Sequence, residues 1–200
     1  MAKIRYNFNP QYKLHKACCK DELRPALQHI FFKDGYAYAS DAHIAVRAKV
    51  ADITDNLDAT SLDLLNGYAI HSDDFQKLLK YDSIIIEKEG VIRIEDGSFK
   101  ISIALKRIVK EEPDPKNAKT EVRSIDFDSV ICKHGKEHVA VDAIGINTTL
   151  LNDLRAAMGI GACVALTFTG KGSVIEVSGI DAEDTFFDIK GIIMPRLIEQ

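Results

Sequence analysis

The chain has 200 residues, with 26 Lys+Arg against 30 Asp+Glu, a formal net charge of −4 and a pI near 5.9. A hydrophobic fraction of 46% and a charged fraction of 28% supply enough apolar surface for a core, which excludes a disordered polyelectrolyte and a collagen-like repeat. Aliphatic runs such as Ile84-Ile85-Ile86 fall far short of the ~20 residues of a membrane helix, so no membrane partner is expected.

Residues 3–8 read as extended, and Pro10 opens a helix predicted over 10–20. Strands 29–33 and 36–40 flank Asp34-Gly35, a tight hairpin signal, and 44–50 follows as a third strand. Strand 68–71 leads into a helix over 72–80, with Ser72 as cap and Phe75, Leu78 and Leu79 facing the core. Strands 83–87, 91–95 and 99–105 come next, separated by turns at Glu89-Gly90 and Asp96-Gly97-Ser98. In the last of them Phe99, Ile101, Ile103 and Leu105 share one face. Residues 106–120 hold two prolines and eight charges and read as a linker or long surface loop. They suggest a division into 1–108, a linker at 109–119, and a shortened second part at 120–200. Beyond it, strand 137–144 precedes a helix over 147–158. That helix has Asn147 as cap, an apolar stripe of Leu150, Leu151, Leu154 and Met158, and Gly159 as its stop. Strands 163–168 and 173–177 flank Gly170-Lys171-Gly172, and 185–194 is the last strand.

The order of these elements repeats. Residues 3–50, 68–105 and 137–194 each read as a βαβββ unit, and fragments of a fourth are expected in 121–134. The expected fold is therefore α+β, with short amphipathic helices covering one face of antiparallel sheets and leaving their outer faces free.

Those outer faces are basic. Lys13, Lys16 and Lys20 lie on the first helix, where residues 10–20 contain no acid. Lys77 and Lys80 occupy the second helix and Arg155 the third, beside Asn152. Such cations suit a phosphate backbone, but lysines also cover the surfaces of most soluble helices, and Asp73, Asp74 and Asp153 dilute the pattern. No aromatic residues interleave with them, so base stacking is not indicated.

Evidence for chemistry is thin. His15, Cys18 and Cys19, or Cys132, His134 and His138, would be the candidates for a metal or thiol site. Neither set has the paired spacing of a zinc site, and Cys18 fits the apolar stripe. His43 near Asp41 has no nucleophile tied to it, and Gly170-Lys171-Gly172 is too short for a phosphate loop. Neither catalysis, cofactor nor metal is expected. The four cysteines lack a disulfide framework and Met1–Arg5 lacks an apolar leader, which points to the cytoplasm.

Three segments carry a family resemblance. Tyr38-Ala39-Ser40-Asp41-Ala42-His43-Ile44-Ala45-Val46 resembles the Ala-Thr-Asp-Gly-His-Arg-Leu-Ala-Val motif of bacterial sliding clamps, the beta subunit of DNA polymerase III. Ile192-Ile193-Met194-Pro195-Arg196-Leu197 is similar to that family's Val-Val-Met-Pro-Met-Arg-Leu ending, and Ile146–Leu154 to its last helix. The three segments are colinear with the family's second and third domains. Ala42 and Ile44 depart from the motif's Gly and Arg, and the ending is one residue short.

What the resemblance implies is a clamp-like, non-catalytic processivity factor whose helices face duplex DNA. Lys13, Lys16, Lys20, Lys77, Lys80 and Arg155 would then contact phosphates. Clamp-binding peptides of polymerase or repair proteins would dock on Ser40, Ala42, His43, Ile44 and Ala45, together with Ile192, Met194, Pro195, Arg196 and Leu197. A chain with room for two domains would close a ring as a homo-oligomer, a trimer if complete. The alternative is an open, clamp-fold interaction module that captures such peptides without DNA.

Overall fold

Asp34 and Gly35 adopt φ of 52° and 78°, the primed-turn geometry whose twist matches the strands it joins. Around this turn the chain builds the centre of a long sheet, seen here in a computed structural model that describes residues 4–96, 99–127, 144–161, 163–168, 173–180 and 186–196. The strands in chain order are β1 (Asn7–Phe8), β2 (His29–Lys33), β3 (Tyr36–Ser40), β4 (Ile44–Lys49), β5 (Thr54–Asp55), β6 (Tyr68–His71) and β7 (Ile84–Glu87). They continue as β8 (Val91–Asp96), β9 (Phe99–Ala104), β10 (Lys106–Val109), β11 (Glu121–Arg123), β12 (Val164–Phe168), β13 (Ile175–Ile180) and β14 (Phe186–Ile193). Nine of them form one sheet in the order β11-β10-β6-β2-β3-β4-β14-β13-β12, while β7-β8-β9 and β1-β5 form smaller sheets. All the ladders are antiparallel except β10–β11.

The helices are α1 (Ala59–Asp63), α2 (Ser72–Leu78) and α3 (Thr148–Ala157). None of the described helices is long and apolar enough to cross a membrane. Asn147 caps α3 as expected, accepting hydrogen bonds from the Thr149 and Leu150 amides, and Gly159 ends it at φ 66°. The cap of α2 is His71 rather than Ser72: its ring nitrogen accepts from the Asp73 amide, and the helix ends at Leu78.

The helix expected over 10–20 is reduced to one 3₁₀ turn, Leu14–Ala17. Asn9 Oδ1 accepts from the Gln11 amide and holds the chain in a turn at Pro10. At the other end Cys18 is extended (ψ 148°), and the Cys19 amide bonds to the Leu27 carbonyl instead of continuing the helix. The inward pattern survives, with Leu14, Ala17 and Cys18 all buried. Residues 106–120 are likewise not all loop. Lys106–Val109 pairs with β6 on one side and with Glu121–Arg123, the edge strand of the long sheet, on the other, and alternate positions of the two strands stay charged. Ile108 and Val122 supply the covered face.

The first strands of the first two repeat units are exchanged. β6 joins the sheet of the first unit beside β2, while Tyr6, next to β1, bridges in parallel to Ser83 at the start of β7. Buried Asn7 fixes this crossing: Nδ2 donates to the Leu78 and Tyr81 carbonyls at the end of α2, and Oδ1 accepts from the Phe8 amide. In the third unit α3 and β12–β14 are present, while 137–143 and most of the fragment expected in 121–134 lie outside the described residues.

One face of the sheet is covered by α2, the Leu14–Ala17 turn and α3 in a row, the turn touching both helices. Phe75, Leu78, Leu14, Ala17, Leu154 and Ala157 pack there on Ile30, Phe32, Ile44 and Val46. The opposite face carries a second cluster, with Phe31, Tyr38, Ala45, Ala69, Val122, Phe127 and Ile192. Pairing of β4 with β14 joins the third unit to the first, Gly191 opposite Val46. A Cβ on Gly191 would lie 2.5 Å from Met158 Sδ and 3.0 Å from Leu154 Cδ1, so the missing side chain is what lets α3 seat on β14. Gly191→Val is expected to destabilise the fold by about 1–3 kcal/mol. Urea unfolding is the measurement; an unchanged midpoint would show that α3 is not seated there.

Candidate functional site

The structure brings part of the basic set together. Lys13 and Arg155 line one open groove of about 330 Å³ where the 3₁₀ segment meets the end of α3, and the Lys13 amide bonds to the Ala156 carbonyl. The cations are unequal. Lys16 Nζ lies 3.9 Å from Asp153, and Lys77 Nζ 2.7 Å from Asp74. Arg155 is held by the Ile160 and Gly161 carbonyls and by Asn152. Lys13, Lys20 and Lys80 are exposed, with no carboxylate within ion-pair distance among the described residues.

The two segments matched to clamp motifs meet in space. β4 and β14 run side by side, with Ile192 opposite Ala45 and Ile193 opposite Ile44, and the Met194 amide donates to the His43 carbonyl at 2.8 Å. Ser40 Oγ donates to the Ile44 carbonyl and accepts from the Ala42 amide, while Asp41 Oδ1 accepts from the His43 and Ile44 amides. This network holds Ala42 at φ 79°, a conformation that suits the glycine of the clamp motif and costs an alanine about 1–2 kcal/mol. Ile44, Ala45 and Ile192 are buried in the sheet, so they support the surface rather than offer it. Met194 is 42% exposed, and His43 and Arg196 are exposed as well. Pro195 is half-buried, and Leu197 lies outside the described residues.

Sequence reading missed a cavity at the β10–β11 side of the sheet. About 250 Å³ in volume, it is lined by Pro25, Ala26 and Leu27 of the 3₁₀ turn Pro25–Gln28, by His29, and by Lys106 and Val122 from β10 and β11. The Phe31–Tyr38 register, continued by two residues, sets His29 opposite Ser40, so cavity and turn share one end of the sheet. Only the register could have revealed this, because β10 and β11 come from the stretch that reads as a loop.

Of the chemical candidates, Cys18 is buried and its thiol pKa is pushed up by loss of water, which suits a core residue and not a nucleophile. Among the described residues no three His, Cys, Asp or Glu side chains cluster as metal ligands. Cys132, His134, His138 and the Gly170–Gly172 turn lie outside them.

No family model and no curated protein matches this sequence. Solved structures do. A DnaN sliding clamp, DNA polymerase III subunit beta, from Pseudomonas aeruginosa bound to griselimycin superposes with a TM-score of 0.55 at 12% identity, over 99% of this chain and 67% of that one. The Bartonella birtlesii DnaN clamp, also bound to griselimycin, gives 0.55 at 14% identity, over 93% and 63%. The chain thus has the sliding-clamp fold and spans about two thirds of the length of these clamps.

Two imidazoles in this region are held neutral. Burial lowers the His29 pKa to about 4, and burial, then Lys16 and Lys13, lower that of His15 to about 4. His29 Nδ1 donates to the Pro25 carbonyl, which fixes its tautomer. An unfolded histidine takes up its proton near pH 6.5, so between 6.5 and 4 the unfolded chain binds more protons than the folded one. Stability is therefore complete above pH 6.5 and falls as the pH drops toward 4. The urea midpoint is expected to be lower at pH 5 than at pH 7, and His15→Leu should flatten that difference; equal wild-type midpoints would contradict the buried neutral state.

Proposed function

We propose that the chain is a sliding-clamp-like, non-catalytic DNA tether of the cytoplasm, which holds duplex DNA against its helical face and docks replication or repair proteins on the other. The observation that carries this reading is the row formed by α2, the Leu14–Ala17 turn and α3 on one face of a continuous sheet, within the clamp fold. A tether that holds DNA by topology needs only loose, sequence-independent phosphate contacts. Lys13, Lys20 and Lys80 supply these contacts; Lys16, Lys77 and Arg155, already engaged, add less. Short peptides dock on the surface around Ser40, Ala42, His43, Met194, Pro195 and Arg196. The division at 109–119 belongs to the same proposal, with Pro113 in the turn between β10 and β11.

Self-assembly follows from the repeat. The last strands of the first and third units, β4 and β14, pair with each other. The equivalent strand of the second unit, β9, has no strand on its outer edge among the described residues, and Phe99 on it is 76% and Ile101 39% exposed. Its occupant in this reading is β9 of a second copy, set antiparallel as β4 is to β14.

Two measurements test the proposal. The protein is expected to stay bound to nicked circular DNA and to be lost once the circle is cut. Changing Lys13, Lys20 and Lys80 together to Glu should weaken DNA association at low salt at least about tenfold, while the open-module alternative expects no DNA association to lose. Equal retention on linear and circular DNA would remove the encircling tether. Mass in solution at micromolar concentration should exceed that of one chain, and Phe99→Asp with Ile101→Lys should return it to a monomer. A wild-type monomer would refute the β9 seam and leave the fold untouched.

A further inference from the structure

His15 is a polar side chain on the helical face that the lysine contacts leave unused. Residues three apart in a 3₁₀ turn share a face, so Leu14 and Ala17 fill the buried one, Lys16 falls on a second and His15 on the third. Lys16 reaches toward Asp153 on α3, while the half-buried His15 ring leans on Phe75 of α2, with ring centroids 6.5 Å apart. His15 therefore stands where the turn meets α2. On that helix Lys77 is paired with Asp74, and Lys80 lies beyond the helix end.

The ring is uncharged at neutral pH. Burial first, then Lys16 and Lys13, bring its pKa to about 4, against the opposite pull of Asp73 and Asp153. An uncharged imidazole has a single N–H to give. Nδ1 is sealed from water and has no partner, and a proton there would be an orphaned buried N–H, which folded proteins avoid more strictly than an under-used acceptor. The proton therefore belongs on Nε2, which is not sealed and has no protein acceptor among the described residues. The ammonium groups of Lys13 and Lys16 that disfavour an imidazolium draw an anion to the same place. The complement of this site is thus an anionic oxygen that accepts a hydrogen bond, and a duplex backbone offers one on every nucleotide.

We infer that His15 donates its Nε2–H to a backbone phosphate of the bound duplex, giving the tether a contact that salt does not weaken. This rests on the tether reading of the helical face. Each lysine that meets a phosphate releases a counterion and steepens the loss of affinity with salt, whereas an uncharged donor adds affinity and leaves the slope alone.

The test uses the full chain on nicked circular DNA, with the association constant read between about 50 and 200 mM salt. His15→Phe keeps a ring against Phe75 and removes the donor. It should weaken association about fivefold or more at every salt concentration, with the slope of log K against log salt unchanged. Lys13→Met should instead lower that slope by about 0.9. His15→Gln, which keeps an N–H donor, should stay within about twofold of the wild type. Circular dichroism checks that all three variants fold. Wild-type association by His15→Phe would overturn the His15 contact and leave the lysine tether standing. A slope lowered as in Lys13→Met, or His15→Gln as weak as His15→Phe, would overturn the uncharged donor in the same way. Failure of the wild-type protein to associate with DNA at the lowest salt would overturn the tether and this contact together.

Discussion

The pairing of β4 with β14 is the contact on which the other arrangements depend. It closes a separation of almost 150 residues in the chain and fuses strands of the first and third repeat units into one sheet. Both matched motifs end up at one sheet terminus because of it, and α3 is brought against the Leu14–Ala17 turn. Its energetic basis is burial rather than charge. Ile44 and Ile193 face the helical layer, Ala45 and Ile192 the opposite cluster, and all four are almost wholly removed from water. Gly191 sits between them as the position where bulk would separate the layers.

The helical layer is held by packing, and its cations play little part in stability. The 2.7 Å Lys77–Asp74 contact is an exposed pair on adjacent helical turns, screened by water and of little weight in stability. A surface whose charges are not needed for folding can present them to a polyanion. The other side of the sheet differs in kind: a buried aromatic cluster of Phe31, Tyr38 and Phe127 lies close to a lined cavity, which suits discrete peptide contacts.

Much of this was legible in the sequence where local rules act alone. Asp34-Gly35 specified its hairpin through φ, Asn147 and Gly159 bracketed α3, and strict alternation marked β8 and β9. The repeat order was visible for the same reason. Where tertiary contacts decide, local rules misled. Residues 10–20 have a helical apolar period, yet the Cys19–Leu27 bond and the Asn9 turn leave room for only four helical residues. Charges and prolines in 106–120 masked the short strand β10 and its pairing with the edge strand β11, and with them the cavity. The segments that resemble clamp motifs were recognisable, but which of their side chains reach solvent was not: alternation cannot tell that both faces of β4 are covered.

The edge of β9, unpaired among the described residues, has a consequence for symmetry if a second copy occupies it. A strand that pairs with its own copy makes an isologous junction, and such a junction is satisfied by two molecules and stops there. An assembly built from it alone would be a finite two-fold arc. To go all the way round a duplex, that arc would have to meet another at a second junction of different composition, and the subunits would then alternate head-to-head and tail-to-tail, giving an even number of chains.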